Sequence, residues 1–382
     1  MVGQPLASSL PLHTPVRAAK ASPSDVRRSN RSLMFSLLFP SNRYSRAELG
    51  RRTGLSRVAV SDVVADMIDE GLIRESGVET NATGKGKRGT LLGVDGTRLR
   101  IISVDLSGEQ LVQGAVTDLL GVPERRAEIT LNASERVDED MIVRLIDRLR
   151  DGIAADRILG IGVSAPGIVQ DGVIRESTFL GWRDVDLRAM LSRRFALPVT
   201  VGNDTVNAML AERFFGQAGP NLLFVKNDYG IGSATLIDDV PVTGEHHASG
   251  EIGHISIDPV DGPLCPCGKR GCMELLISAH ALRERMHGRD AGEVTRITRE
   301  AGGRFAAALS VSIGLLDIRD VCVYGPADVI NDTFLEAAQE QLDATTASPF
   351  TARTVIRRCQ CGPDVTLRGG AIAVVRDHLD LR

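Results

Sequence analysis

The sequence has no apolar run near the roughly 18–20 residues needed to span a bilayer. Its first 24 residues are broken by prolines and lack the long apolar stretch of a secretory signal. Both absences argue against a membrane and lead us to expect a cytoplasmic protein. Cysteine is also scarce, with six in 382 residues. So few thiols, in a reducing compartment, favour metal ligation over a disulfide scaffold. No charge dominates overall either, since 45 Lys and Arg face 49 Asp and Glu. That balance hides a division: residues 1–100 carry 16 basic against 9 acidic side chains, and the remainder 29 against 40. A basic head on an acidic body is the pattern of a polyanion-binding head domain. The chain is too long for one hydrophobic core, so two or three domains are expected, and its 39 glycines suggest many tight βα turns.

Residues 1–24, rich in Pro, Ser and Ala without periodicity, are expected to be a disordered leader. From Arg28, the residues Leu33, Met34, Leu37 and Leu38 recur at helical spacing until Pro40. Ser45, three residues before Glu48, opens a short second helix that stops at Thr53-Gly54. Ser56 caps a third helix reaching about Glu70, with Val60, Val63, Val64, Met67 and Ile68 as its buried stripe. Helix, tight turn, helix is the helix-turn-helix unit, whose second helix enters the major groove by its N-terminal residues. Here these are Ser56, Arg57, Ala59 and Ser61, a capping hydroxyl, a cation and small groups that allow close approach. Two short strands flanking the glycine-rich stretch with Lys85, Lys87 and Arg88 then read as a wing, its cations directed at phosphates, and complete a winged helix-turn-helix domain over 25–97.

From Leu99, strands and amphipathic helices alternate to the end, which implies an α/β body of two lobes with a ligand cleft between them. His254, Cys265, Cys267 and Cys272 lie within 19 positions. One imidazole and three thiolates make a closed tetrahedral set for structural zinc. Cys359 and Cys361 resemble a second metal pair, but only Cys322 and distant histidines could complete it, so they are read as structural. Asn203 and Asp204 end a strand at the lobe junction, and Glu251, His254 and Glu274 flank the metal loop. These five polar groups could converge on the hydroxyls of one hexose. Each also has a plainer reading: Asp204 as a helix cap, Glu251 as a solvated surface acid, Glu274 as an acid at a helix N-terminus.

Several of these motifs resemble the ROK (repressor, open reading frame, kinase) family. They are SRAELGRRTGLSRVAVSDVVADMIDEGLI with the basic wing GKGKRG, and GEIGH followed by CPCGKRGCME. The resemblance runs from Arg28 onward and is strongest between Val201 and Leu275. It implies a winged helix-turn-helix joined to an actin-like (ribonuclease H-like) sugar-kinase fold. The first lobe would span 98–203 with a returning helix over 369–382, and the second 204–368. It also implies that His254, Cys265, Cys267 and Cys272 bind Zn2+, and that Asn203, Asp204, Glu251, His254 and Glu274 contact sugar. Asp204 stands at the kinases' general base.

Departures from the family pattern bear on activity. Phe179 replaces an amide that often precedes Leu-Gly-Trp, and Arg88-Gly89 replaces the Arg-Pro that usually ends the wing. The first phosphate loop reads Asp105-Leu106-Ser107-Gly108-Glu109 instead of Asp-x-Gly-Gly-Thr. The second reads Asp228-Tyr229-Gly230-Ile231-Gly232 instead of Gly-Thr-Gly-x-Gly, and a third Gly-Gly-Gly reads Tyr324-Gly325-Pro326, although Gly369 and Gly370 survive further on. Carboxylates directed at a polyphosphate oppose phosphotransfer. The expectation is a homodimeric or larger repressor that binds operator DNA, responds to a sugar or sugar phosphate, needs no membrane and is not an enzyme. Its rivals are a DNA-binding sugar kinase and a regulator controlled by a protein partner.

Overall fold

The structure, a computed structural model, describes residues 22–78, 89–132, 135–346, 350 and 352–381. The head opens with α1 (Pro23–Leu38), which begins before the apolar periodicity does. Ser22 and Asp25 form a reciprocal capping box, so the Ser-Pro pair expected to end a disordered leader starts a helix. Next come β1 (Tyr44–Ser45), α2 (Arg46–Thr53) and α3 (Arg57–Asp69). Gly54 closes α2 at φ 70°, a left-handed conformation that glycine adopts without strain. Val60, Val63, Val64 and Met67 turn inward from α3. Then β2 (Ile73–Val78) and β3 (Thr90–Val94) pair, with β3 central between β1 and β2. The wing tip with Lys85, Lys87 and Arg88 lies outside the described residues.

The first lobe contains β4 (Arg100–Gly108), β5 (Leu111–Thr117), β6 (Pro123–Thr130), α4 (Glu139–Arg150) and β7 (Ile158–Ala165). It continues through β8 (Ile168–Gln170), β9 (Val173–Ser177), β10 (Trp182–Val185), α5 (Leu187–Phe195) and β11 (Val199–Asn203). Its main sheet runs β11-β7-β4-β5-β6, with β8, β9 and β10 in a separate small sheet. Helix α4 stops at Arg150, where the chain turns through Gly152 at φ 73°.

The second lobe contains α6 (Asp204–Phe215), β12 (Leu222–Asn227), β13 (Ile231–Ile237), β14 (Val240–Pro241), α7 (Met273–Ile277) and α8 (Ala279–Met286). It ends with α9 (Ala291–Leu316), β15 (Asp320–Tyr324), α10 (Asp332–Thr346), β16 (Val355–Arg358) and α11 (Val365–His378). Its sheet runs β14-β13-β12-β15-β16. Helix α11 returns to pack on β7, β4 and β11 of the first sheet and on α6. Gly369 and Gly370 make that packing possible. A Cβ on Gly369 would lie 2.0 Å from the Asn207 carbonyl oxygen of α6, and one on Gly370 would lie 2.4 Å from Ser103 Oγ of β4. These glycines therefore serve helix packing.

The head is seated on the body. One apolar cluster runs from Met34, Phe35 and Leu38 of α1 through Met209 of α6 to Val375 of α11. Phe39 meets Phe214 edge to face at 5.4 Å and Phe215 at 5.9 Å. Arg31 donates to Glu70 at 2.5 Å and to His378 Nε2 at 2.9 Å, and Ser32 donates to the Leu379 carbonyl.

Candidate functional site

The lobes meet where β11 runs into α6. Asn203 caps α6: its Oδ1 accepts from the Thr205 and Val206 amides, and its Nδ2 donates to the Gly167 carbonyl at 2.9 Å. The Asn203 side chain thus fixes the start of α6 and ties it to Gly167, and its Nδ2 keeps a second hydrogen for a further acceptor. Asp204, one residue on, is buried at the positive end of the helix.

Lys226 on β12, which sequence reasoning missed, donates to Asp204 Oδ2 at 2.7 Å and to Ser107 Oγ at 2.6 Å. Ser107 in turn donates to Asp105 Oδ1 at 2.6 Å, and Asp105 also accepts from Gln113. Burial works against the charge on Lys226, but Asp204, Asp105 and Asp228 outweigh it and hold its pKa above the ordinary value. A lone cation in the apolar run LLFVK signals a buried partner, although sequence alone could not say which carboxylate it is.

Glu274, at the start of α7, accepts from the Ile231 amide at 3.2 Å. Gly230 leaves room for it, since a Cβ there would lie 2.6 Å from Glu274 Oε2. Glu251 is open to solvent yet closely flanked. Crowding by the protein, then Asp204 and Glu274, push its carboxyl above the usual range against the pull of His254. Glu251 thus feels the charges of Asp204, Glu274 and His254. Carboxylates here can accept hydrogen bonds from several hydroxyls.

The altered phosphate loops form contacts of their own across the cleft. Tyr229 meets Phe179 edge to face at 5.4 Å between ring centroids and lies tilted against His280 at 4.8 Å, and His280 Nδ1 lies 3.9 Å from Glu109. Ser107, Glu109 and Phe179 belong to the first lobe, and Lys226, Tyr229 and His280 to the second.

Beside this cleft, His254, Cys265, Cys267 and Cys272 bring their ligand atoms within 4.8 Å of one another. His254 Nδ1 is 3.6 Å from Cys265 Sγ, and Cys267 Sγ is 3.6 Å from Cys272 Sγ. Tetrahedral bonds of about 2.0–2.3 Å give edges of about 3.3–3.8 Å, so the set fits a metal ion. Burial and the neighbouring sulfurs push Cys272 up to about 12. The Lys269 amide lowers exposed Cys267. Gly271, at φ 63°, permits the tight loop, since a Cβ there would meet the Asp258 carbonyl oxygen at 1.8 Å.

Cys322 and Cys359 also come together, around buried Glu212. That carboxylate accepts from Arg357 at 2.5 Å, from the Gln360 and Cys361 amides, and from Cys359 Sγ at 3.1 Å. A guanidinium occupies the flank where a cation would bind, so the cluster is a hydrogen-bonded clasp, in keeping with the structural reading.

On the head, Ser56, Arg57 and Ser61 are exposed at the start of α3, and Ser56 Oγ caps the helix through the Ala59 amide. Among the described residues, Arg57 has no carboxylate partner. Ala59 is half-buried, whereas Val58, which sequence reasoning passed over, is 71% exposed on the same turn and can present methyl groups to thymine. Ser45 must be withdrawn from the DNA face. It is buried because β1 pairs with β3, and its hydroxyl caps α2 through the Glu48 amide.

Residues 96–318 match the family model described as "ROK family". The chain is 31% identical over 265 residues to a putative xylose repressor of Caldicellulosiruptor sp. (strain Rt8B.4), covering 67% of this chain and 65% of the relative. It is 30% identical over 264 residues to the xylose repressor of Bacillus subtilis (strain 168), covering 67% of each. The matched region thus spans about two thirds of these relatives' length. Among solved structures, a ROK family transcriptional regulator described as a homolog of the E. coli MLC protein superposes with a TM-score of 0.78. That match covers 93% of this chain and 98% of the other at 21% identity, so it speaks to the fold. An N-terminal helical head on an actin-like α/β body, with the family model matched over more than half the chain, identifies this protein as a member of the ROK family.

Proposed function

We propose that this chain is a sugar-responsive transcriptional repressor, cytoplasmic and at least dimeric, whose kinase-like body binds a sugar without phosphorylating it. The head reads operator DNA through Ser56, Arg57, Val58 and Ser61, with the wing cations Lys85, Lys87 and Arg88 on phosphates. Asp204, Glu251, His254 and Glu274 bind the sugar, while Asn203 fixes the start of α6. His254, Cys265, Cys267 and Cys272 hold Zn2+, which would close the loop that carries His254 towards the cleft.

The observation that carries this reading is the bond from Lys226 to Asp204. A carboxylate tied to an ammonium remains a good acceptor for a sugar hydroxyl but a poor general base. Ser107 also adds a side chain where a phosphate loop needs bare backbone, and Glu109 puts a carboxylate in place of that loop's threonine hydroxyl. The cleft communicates with the head through α6, which begins at Asp204 and ends at the Phe214 and Phe215 rings against Phe39. A sugar that prefers one lobe arrangement would move the head by as much free energy as that preference, commonly about 1–3 kcal/mol.

The test is operator binding with and without sugar, for the wild type and Asp204→Ala, together with sugar-dependent ATP turnover. The variant should bind operator normally in sugar-free buffer and lose the response. A variant that still responds would put the effector elsewhere, and robust turnover by the wild type would make the protein a kinase.

A further inference from the structure

We propose that Asp62 on α3 selects cytosine at one operator position and rejects guanine and thymine there, an inference that rests on the operator-reading role of the head. Val58, Ser61, Asp62, Ala65 and Asp69 are all exposed on α3, while Val60, Val63, Val64 and Met67 fill its opposite face. Val58 and Asp62 are four residues apart and so lie one above the other on the outer face.

Most acids of the head are held by cations. Glu48 bonds to Arg51 and Arg52, Asp66 lies 3.4 Å from Arg27, Glu70 2.5 Å from Arg31 and Glu75 3.2 Å from Arg46. The Asp62 side chain has no hydrogen-bond or ion-pair partner among the described residues, and Arg57 does not neutralise it. Asp69 is also free of such partners among these residues, but it ends α3, about two turns beyond Asp62. A recognition helix reads bases with its N-terminal residues, which leaves Asp62 as the acid within reach.

An uncompensated carboxylate on a surface that approaches DNA is repelled by the phosphates, so it weakens binding to every duplex. Among base edges, only one that presents a donor offsets this repulsion. In the major groove the donors are the exocyclic amines on cytosine N4 and adenine N6. Guanine offers N7 and O6 and thymine O4, all acceptors, and an ionised carboxylate can donate to none of them. Adenine sets its N7 acceptor beside the amine, so cytosine is the base whose donor has no acceptor next to it. Asp62 therefore discriminates largely by rejection.

Val58 adds an apolar contact. Its side chain is 71% exposed, and its two methyl groups suit the C5 methyl of thymine. Four residues advance about 6 Å along the helix axis, close to two base-pair steps. The half-site should therefore hold a thymine and a cytosine within about two steps of each other.

Selection from a randomised duplex library with the full-length protein, followed by anisotropy titration of the enriched duplex, tests the proposal. The wild type should enrich a half-site with this pair of pyrimidines. Replacing its C·G pair by G·C or T·A should weaken binding about five- to hundredfold. Asp62→Ala should lose the preference at that position alone and bind random duplex more tightly than the wild type, a gain that a merely structural residue would not give. Asp62→Asn, whose amide both donates and accepts, should move the preference to adenine. Replacing the thymine by uracil, which removes only the C5 methyl, should weaken the wild type and leave Val58→Ala unaffected. A wild-type half-site without such a cytosine, or an Asp62→Ala protein that keeps the preference, overturns the inference and leaves operator reading standing. A wild type that enriches no sequence overturns the operator reading itself.

Discussion

The ring of Phe179, on the connection from β9 to β10, stands edge to face against the ring of Tyr229 on the turn from β12 to β13. Both replace small or polar groups of the family pattern, and together they bridge the lobes. Edge-to-face pairs are worth about 0.5–1.5 kcal/mol beyond their buried area. A double-mutant cycle of Phe179→Ala and Tyr229→Ala, followed by denaturant unfolding, should show a coupling of that size. Strictly additive losses would mean that the rings do not support each other.

The four-residue thiol and imidazole set should hold one zinc per chain, because thiolate sites contribute folding free energy on binding. Cys267→Ser, at the exposed corner of the set, should release the metal and lower the melting temperature. It should also weaken sugar binding through His254. Metal analysis of the purified wild type decides the matter, since a protein without stoichiometric zinc contradicts the assignment.

At the head, Arg57→Ala should reduce specific operator affinity by about 1–3 kcal/mol while leaving random duplex binding nearly unchanged, if Arg57 reads a base edge. Equal losses on both DNAs would make it a phosphate anchor. Ser56→Ala should cost the head about 1 kcal/mol of stability through its lost cap, a thermal-melt effect independent of DNA.

The contact between head and body should depend on pH. Burial and then Arg31 hold His378 below its ordinary value, while Glu70 and Asp377 pull the other way. Above a pH of about 6.5 the imidazole is neutral whether the head is docked or free, and docking costs nothing. Below that value the free form takes the proton more readily, so docking should weaken with acidification until the docked imidazole also titrates. The protection factor of α1 amides, corrected for the intrinsic pH dependence of exchange, should therefore fall as pH drops below about 6.5, and His378→Gln should remove that component. An unchanged acid response in the variant would exclude His378 as its source.

Glu212 is fully buried and bonded to Arg357 and to two backbone amides of the 359–361 turn. Glu212→Ala should destabilise the fold by about 3–5 kcal/mol, as expected when one partner of a buried pair is removed. A loss below about 1 kcal/mol by urea titration would show that the clasp carries little.

Much of this architecture is legible in the letters because it is set by local rules. The stripe on α3, the Ser56 cap and the Cys-x-Cys loop are written within a few residues of one another. What escaped depends on distant partners. Ser45 and Ser56 have the same capping role, yet only the first is buried, because strand pairing with Leu91 lies 46 residues away. Asn203 and Asp204 are adjacent letters with interchangeable capping chemistry, and only the helix start shows that the amide caps while the carboxylate faces Lys226. The buried partner of Cys359 and Cys361 is a glutamate on another helix, 147 residues earlier in the chain than Cys359.

Gly369 and Gly370 leave α11 with bare backbone where it crosses α6 and β4, and Gly162 of β7 would itself meet the Gly370 carbonyl oxygen at 2.2 Å if it carried a Cβ. Backbone against backbone cannot be compressed, and it has no side-chain rotamers through which to yield. The crossing is therefore a rigid contact: α11 cannot be pressed closer to β4, β7 or α6 there. A ligand that draws the lobes together cannot do so by shortening this contact, because backbone meets backbone there and nothing can give way.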